Sequence, residues 1–251
     1  MTDEKTSSKQ PKKIVHFVLQ GKGGCGKTVS SVMLAQVLRD RGTVECYDTD
    51  PVNATFSQYK GISATSIELL NSDQRIDARQ FDVLLENLLN SQSNHVIVDT
   101  GSQSFLELSS YMVESNALDY LAEEGIEVFA HVIVVGGAAI ADTFTGLGSV
   151  LESFPNSCKI TIWQNEFFGP VEYQGKQIAD MNIYKENAAR IHAIVRLPKE
   201  NPQTTERDIC EMLQHHETFD EAIAADRTLL MAKRRLKSAK ERIYDQVAAV
   251  V

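Results

Sequence analysis

The sequence predicts an α/β fold, a doubly wound and mainly parallel sheet with helices on both faces and a helical C-terminus. Three observations carry that expectation. Short β-branched apolar runs alternate with longer stretches of helical period, which is the pattern of crossover units on a parallel sheet. Several of the runs are apolar almost throughout, as strands covered on both faces are. After Pro202 the pattern is helical to the end, with no strand following.

In chain order, IVHFVL at 14–19 reads as the first strand and feeds a glycine-rich turn. A helix over 27–40 follows, and Arg41-Gly42 places a glycine where a helix ends. Further strands are expected at 44–48, 95–99, 127–135, 159–164 and 193–197, with helices at 77–90, 105–122, 138–154 and 177–191. No repeat, linker or low-complexity stretch divides the chain. The expectation is a disordered polar tail over 1–13 and one domain over 14–251, of which 202–251 is the helical C-terminal part.

Composition narrows the function classes. At 251 residues and 43% hydrophobic the chain is long enough to bury a substantial core, and its formal net charge of -9 argues against a protein that coats nucleic acid. Cys25, Cys46, Cys158 and Cys210 are scattered, so neither a disulfide framework nor a zinc ribbon is indicated and a reducing cytoplasm is the expected location. Nowhere do about 18 apolar residues run together, and residues 1–13 lack the apolar core of a secretory signal.

The chemistry concentrates after the first strand. Gly21, four residues, then Gly26-Lys27-Thr28 at the start of a helix is the phosphate-binding pattern in its strand–turn–helix setting. Glycines let backbone N–H groups turn inward around a phosphate, and the helix N-terminus adds partial positive charge. Lys27 suits the β- and γ-phosphates, and the Thr28 hydroxyl suits Mg²⁺. A second lysine, Lys22, in the same loop would repel Lys27 unless further negative charge arrives. In "ECYDTDP", Asp48 and Asp50 stand two apart, hence on one side of an extended chain. "HVIVDTG" is an apolar run ending in Asp99, the pattern of a carboxylate that reaches Mg²⁺ directly or through water.

Lys22-Gly23-Gly24-Cys25-Gly26-Lys27-Thr28, with Val29 after it, resembles the deviant Walker A motif KGGxGK[ST] of the ParA/MinD family of P-loop ATPases. That resemblance implies bound ATP and Mg²⁺, slow hydrolysis and an ATP-dependent homodimer in which Lys22 crosses to the partner's phosphates. It further implies that Asp50 polarises the attacking water, that Asp48 supports the metal's shell, and that Asn165 hydrogen-bonds adenine between the apolar walls Leu197 and Pro198. Within the family, stretches such as "VDTGSQSF" and "WQNEFFGPVEYQGK" are similar to TraL-type conjugal transfer proteins, which implies a protein partner in a conjugation or type IV secretion apparatus.

Other readings stay open beside this one: a positioning or partition ATPase, a non-catalytic nucleotide-binding scaffold, a metal-cluster reductase, and a small-molecule kinase or synthetase. Partition proteins usually carry DPQG, whereas Val52 stands here in place of the glutamine and the glycine is missing. A reductase of that kind needs a bridging cysteine pair, and no convincing pair exists. Without an N-terminal helix-turn-helix extension, sequence-specific nucleic-acid binding is not expected. Cys210, His215 and His216 have offsets that spread them around a helix, away from a common metal. The basic C-terminal helix, with Leu229, Leu230, Leu236, Ile243 and Val247, is expected to pack on the domain in preference to a membrane surface.

Overall fold

The computed structural model of the chain describes residues 13–250. The tail expected over 1–13 lies outside them except for Lys13, whose Nζ donates to the carbonyls of Leu88 and Leu89 at 3.1 and 2.9 Å.

Strands β1 (Ile14–Leu19), β2 (Val44–Thr49), β3 (Thr65–Ser66), β4 (His95–Thr100), β5 (Glu127–Val135), β6 (Cys158–Asn165) and β9 (Ile191–Leu197) form one sheet. Their order is β3-β2-β4-β1-β5-β6-β9 and every pair is parallel. A short antiparallel hairpin, β7 (Glu172–Tyr173) and β8 (Lys176–Gln177), stands apart from it. Because β1 lies between β4 and β5, crossovers leave it in both directions, and the crevice at its C-terminal end is where such sheets hold ligands.

Period-two alternation assigns each strand residue to a layer. Val15, Phe17 and Leu19 of β1, with Val128, Ala130, Val132 and Val134 of β5, face the core under α2 (Arg79–Asn90), α3 (Ser104–Glu114), α4 (Ala117–Glu123), α5 (Ile140–Ser153) and α6 (Asn182–Glu186). Val18, Ile97, Ile133 and Trp163 face the opposite layer, built from α1 (Lys27–Arg39), α7 (Thr205–Gln214), α8 (Phe219–Ala224) and α9 (Leu230–Ala248). Helix α1 buries Val32, Met33, Leu34, Ala35, Val37 and Leu38 because it lies between the sheet and α9. Among the described residues no helix is long and apolar enough to cross a membrane.

Two expectations are corrected. The helix expected over 105–122 is two, because Asn116 takes a left-handed φ of 51° that turns the chain and lets Leu118 and Leu121 reach the core. The helix expected over 177–191 is replaced by the end of the β7–β8 hairpin, a single 3₁₀ turn at Ile178–Asp180 and the short α6. There the Asn187 side chain takes the Ile183 carbonyl (2.9 Å) in place of a helical N–H, while Arg190 leaves the segment for the carbonyls of Leu151 and Phe154 at the end of α5. Gly42 stands just past the end of α1 as expected, its N–H closing on the Leu38 carbonyl at 3.1 Å without a left-handed φ, and a Cβ on it would stand 2.7 Å from Asn94 Oδ1.

A polar line crosses the buried α1 side of the sheet. Trp163 Nε1 donates to His131 Nδ1 (2.9 Å), His131 Nε2 lies 3.0 Å from His16 Nδ1, and His16 Nε2 lies 3.2 Å from His95 Nδ1. Indole can only donate, so the neutral His131 carries its proton on Nε2, and the same logic fixes His16. The bonds therefore run one way, from β6 through β5 and β1 to His95 at the start of β4.

Candidate functional site

The loop after β1 is held from below. Gln20, 1% exposed, donates from Nε2 to the carbonyls of Ile133 (2.7 Å) and Thr143 (3.0 Å), and its Oε1 accepts the Gly21 N–H (2.9 Å). Gly24 and Gly26 take φ values of 70° and 100°, which side chains resist, and a Cβ on Gly26 would stand 2.7 Å from Asn165 Nδ2. Gly23 is exposed, Val29 half-buried at the first turn of α1. Cys25 is buried beneath the loop, and burial pushes its thiol up, away from the thiolate that redox chemistry uses.

The two lysines are held differently. Lys27 is 8% exposed and its Nζ donates inward to the Lys22 carbonyl at 3.2 Å. The Lys22 side chain leaves the loop and its Nζ meets Asp142 Oδ2, in the first turn of α5, at 2.8 Å, with both side chains largely in solvent.

Three acids surround the loop's far side. Asp99 at the end of β4 is 1% exposed and accepts from the hydroxyls of Thr28 (Oδ2) and Ser31 (Oδ1), both at 2.7 Å; burial raises its pKa to about 7. Asp48 is also buried, with its pKa raised by burial, and both its oxygens are taken by backbone N–H groups, Asp50 at 3.1 Å and Ser57 at 2.9 Å. It thus anchors the loop 50–57. Asp50 lies beyond the strand, so the two are not neighbours on an extended segment; its Oδ1 accepts from Val52 (2.9 Å) and Asn53 (3.2 Å). A Cβ on Gly101 would come 3.0 Å from Asp50 Cα, so the chain after β4 needs glycine to let Asp50 approach.

No three His, Cys, Asp or Glu side chains converge as a metal site among the described residues. The donor set of Thr28, Asp99, Asp48 and Asp50 is nonetheless all hard oxygen, which fits a Mg²⁺ ion held by one or two protein groups plus phosphate and water.

Beside the loop opens a cavity of 240 Å³ between α1, the ends of β6 and β9, α7 and α9. Met33, Phe167, Phe168, Leu197, Pro198, Ile209, Leu213 and Ile243 are among its walls. Asn165 is 9% exposed at its edge, where Nδ2 donates to the Cys25 carbonyl (2.9 Å) and Oδ1 accepts from Phe167 N–H (3.1 Å). Its amide therefore ties the phosphate loop to the cavity as well as lining it.

Sequence reasoning missed Gln20, Ser31, Asp142 and the walls from α7 and α9. Gln20 carried a signal, a polar residue closing an apolar strand; the walls carried none, since Ile209, Leu213 and Ile243 read as ordinary core. Cys210 lines the cavity, while His216 stands edge-on to Tyr59 with centroids 5.4 Å apart. In α9, Leu236, Ile243 and Val247 are buried as expected, but Leu230 at its start and Leu229 just before it are 81% and 78% exposed.

The fold and loop define a P-loop nucleotide-binding protein. The chain belongs to the CobQ/CobB/MinD/ParA nucleotide binding domain family, whose model matches residues 16–231. It is similar to two Escherichia coli proteins, each called Protein TraL, at 37% identity over 94% of this chain and 97% of the relative in one case, and 93% and 96% in the other. Among solved structures it is similar in fold to a ParA family ATPase from Chlorobium tepidum (15% identical, TM-score 0.51, covering 92% of this chain and 98% of that one). It likewise resembles a chain of the MinC:MinD cell division complex of Aquifex aeolicus (13% identical, TM-score 0.51, 93% and 96%).

Proposed function

We propose that the protein is a Mg-ATP-dependent dimerising ATPase that acts as a switch in conjugative transfer of a plasmid or mobile element, in the cytoplasm, through a protein partner in the transfer apparatus. The observation that carries the reading is the opposite orientation of two lysines in one loop. Lys27 is turned inward, where it would meet the β- and γ-phosphates in place of the Lys22 carbonyl. Lys22 is turned outward onto a solvent-exposed partner, and exposed pairs contribute only about 0–1 kcal/mol. It is therefore free to leave Asp142 for a second subunit's phosphates at little cost. The TraL likeness at 37% identity supports the conjugative setting.

Thr28 and Asp99 would hold Mg²⁺, with Asp48 supporting from beneath and Asp50 nearby; the ion would neutralise charge on the β- and γ-oxygens. The backbone N–H groups of 21–29 and the α1 N-terminus bind and orient the phosphates. Asp50 orients water for attack on the γ-phosphorus and accepts its proton as the bond to the bridging oxygen breaks and ADP departs. Asn165, Leu197 and Pro198 border the base. Light scattering of the purified chain with ADP, ATP and a non-hydrolysable analogue tests the switch. Dimers are expected with ATP and the analogue and monomers with ADP; monomers throughout would exclude it.

A further inference from the structure

The cavity beside the phosphate loop is apolar on nearly every wall, and one group does not belong there. Glu206, in the first turn of α7, lines it, and Glu206 Oε2 is buried without a hydrogen-bond partner among the described residues. Acids are common in a first helical turn because they oppose the helix dipole, but they do so from water. Asp208, two residues on, is mostly buried as well but is paired with Arg235 at 2.5 Å. Glu200, the other acid on the cavity wall, is paired with Arg242. Of the two acids on the cavity wall, only Glu206 bears the cost of a buried carboxylate oxygen with nothing to accept, a penalty that calls for a partner. Its charge is felt inside the cavity, since it adds to burial in raising the Cys210 thiol.

Resting on the nucleotide-site reading above, we infer that Glu206 is a base-specificity residue: its buried oxygen accepts a hydrogen bond from the exocyclic amine of adenine. A carboxylate oxygen can only accept, so the base edge that meets it must present an N–H. One orphan oxygen asks for one donor, which the 6-amino group supplies. Guanine, with two adjacent donors, would call for both carboxylate oxygens. A 6-keto purine would bring a second acceptor against the first. The Asn165 amide cannot make this choice alone, because one N–H and its carbonyl oxygen already serve Cys25 and Phe167.

The test is calorimetric titration of the full chain with Mg²⁺ and three diphosphates, which avoids turnover: ADP, GDP, and the diphosphate of purine riboside, which lacks the 6-amino group. The parent is expected to bind ADP roughly 10- to 100-fold more tightly than the amine-free analogue, the range of a hydrogen bond to a charged acceptor. Glu206→Ala should close that gap to less than about 3-fold by weakening ADP while leaving the analogue unchanged. Glu206→Gln, a near-isosteric replacement that keeps the fold if alanine does not, should narrow the gap because a neutral acceptor is about half as strong. A gap that persists in both variants overturns the inference, as does a parent that prefers GDP. A parent that binds ADP and the analogue equally overturns it while leaving the nucleotide site intact. Failure to bind any diphosphate overturns both.

Discussion

Lys22 and Lys27 carry the same charge in the same loop, and their partners separate their roles. Lys27→Ala should abolish nucleotide binding in a calorimetric titration, because the ammonium that now holds the Lys22 carbonyl is the loop's one buried cation. Lys22→Ala should leave ADP affinity within about 3-fold of the parent, since its group sits on exposed Asp142, yet remove ATP-dependent dimerisation in light scattering. Asp50 and Asp99 separate in the same way. Asp50→Ala should keep Mg-ATP binding and lose roughly 10²- to 10⁴-fold in phosphate release, eluting as a stable ATP-bound dimer. Asp99→Ala should weaken nucleotide binding itself, because the carboxylate that engages Thr28 and Ser31 is a metal ligand in the proposed site. At this scale the placement of residues was legible where residue type and spacing are tightly constrained, the loop standing between β1 and α1 and Asp99 beside Thr28. It was less so at Asp48, whose place in the sequence suggests a metal but whose oxygens are occupied by the backbone of its own loop. Gln20 and Asp142 act through partners more than a hundred residues away, and no local pattern reports that.

Among the elements, the six long strands of the sheet were readable to within two residues because burial leaves long apolar runs, whereas β3, β7 and β8, two residues each, carry no such run. Hydrophobic period persists through a turn when the chain resumes packing on the same core, so it does not reveal the break at Asn116 or the irregular chain between 177 and 191. The histidine line was also hidden, since His16, His95 and His131 lie on different strands and come together only through sheet order. His131 is lowered to about 3 and His16 well below its usual value, chiefly by burial; His95 is lowered too, by burial and then by Arg41. Phe129 and Trp163 pack beside them, and His192 faces the group from β9. Between pH 6.5 and about 3 the unfolded chain takes up protons that the folded chain refuses, so stability present above pH 6.5 is lost as pH falls. The expected slope is about 1.4 kcal/mol per pH unit for each histidine so held. Urea midpoints between pH 7 and pH 4 check it, and His131→Phe should flatten the curve.

For the whole molecule, the notable relation is between the ends of the chain. The phosphate loop follows the first strand, whereas the outer side of the neighbouring cavity is made by Ile209 and Leu213 of α7 and Ile243 of α9. Helix α9 lies over α1 and carries α7 and α8 on it, and Gln36 of α1 holds this layer, its Oε1 accepting from the Tyr244 hydroxyl of α9 at 3.3 Å and from the Phe219 N–H of α8 at 2.9 Å. Ile243→Ala should speed ADP dissociation in a stopped-flow chase, with association little changed, because the deletion loosens the wall and leaves the loop alone.

On the proposed reading, this arrangement ties how long a nucleotide stays to how often the C-terminal helices part from α1. Such partings are ordinary local openings of a native protein and need no signal to occur. A partner that gripped α7 or α9 could then hurry or delay exchange without touching a phosphate, and the clock of the cycle would be set at the end of the chain farthest in sequence from its chemistry.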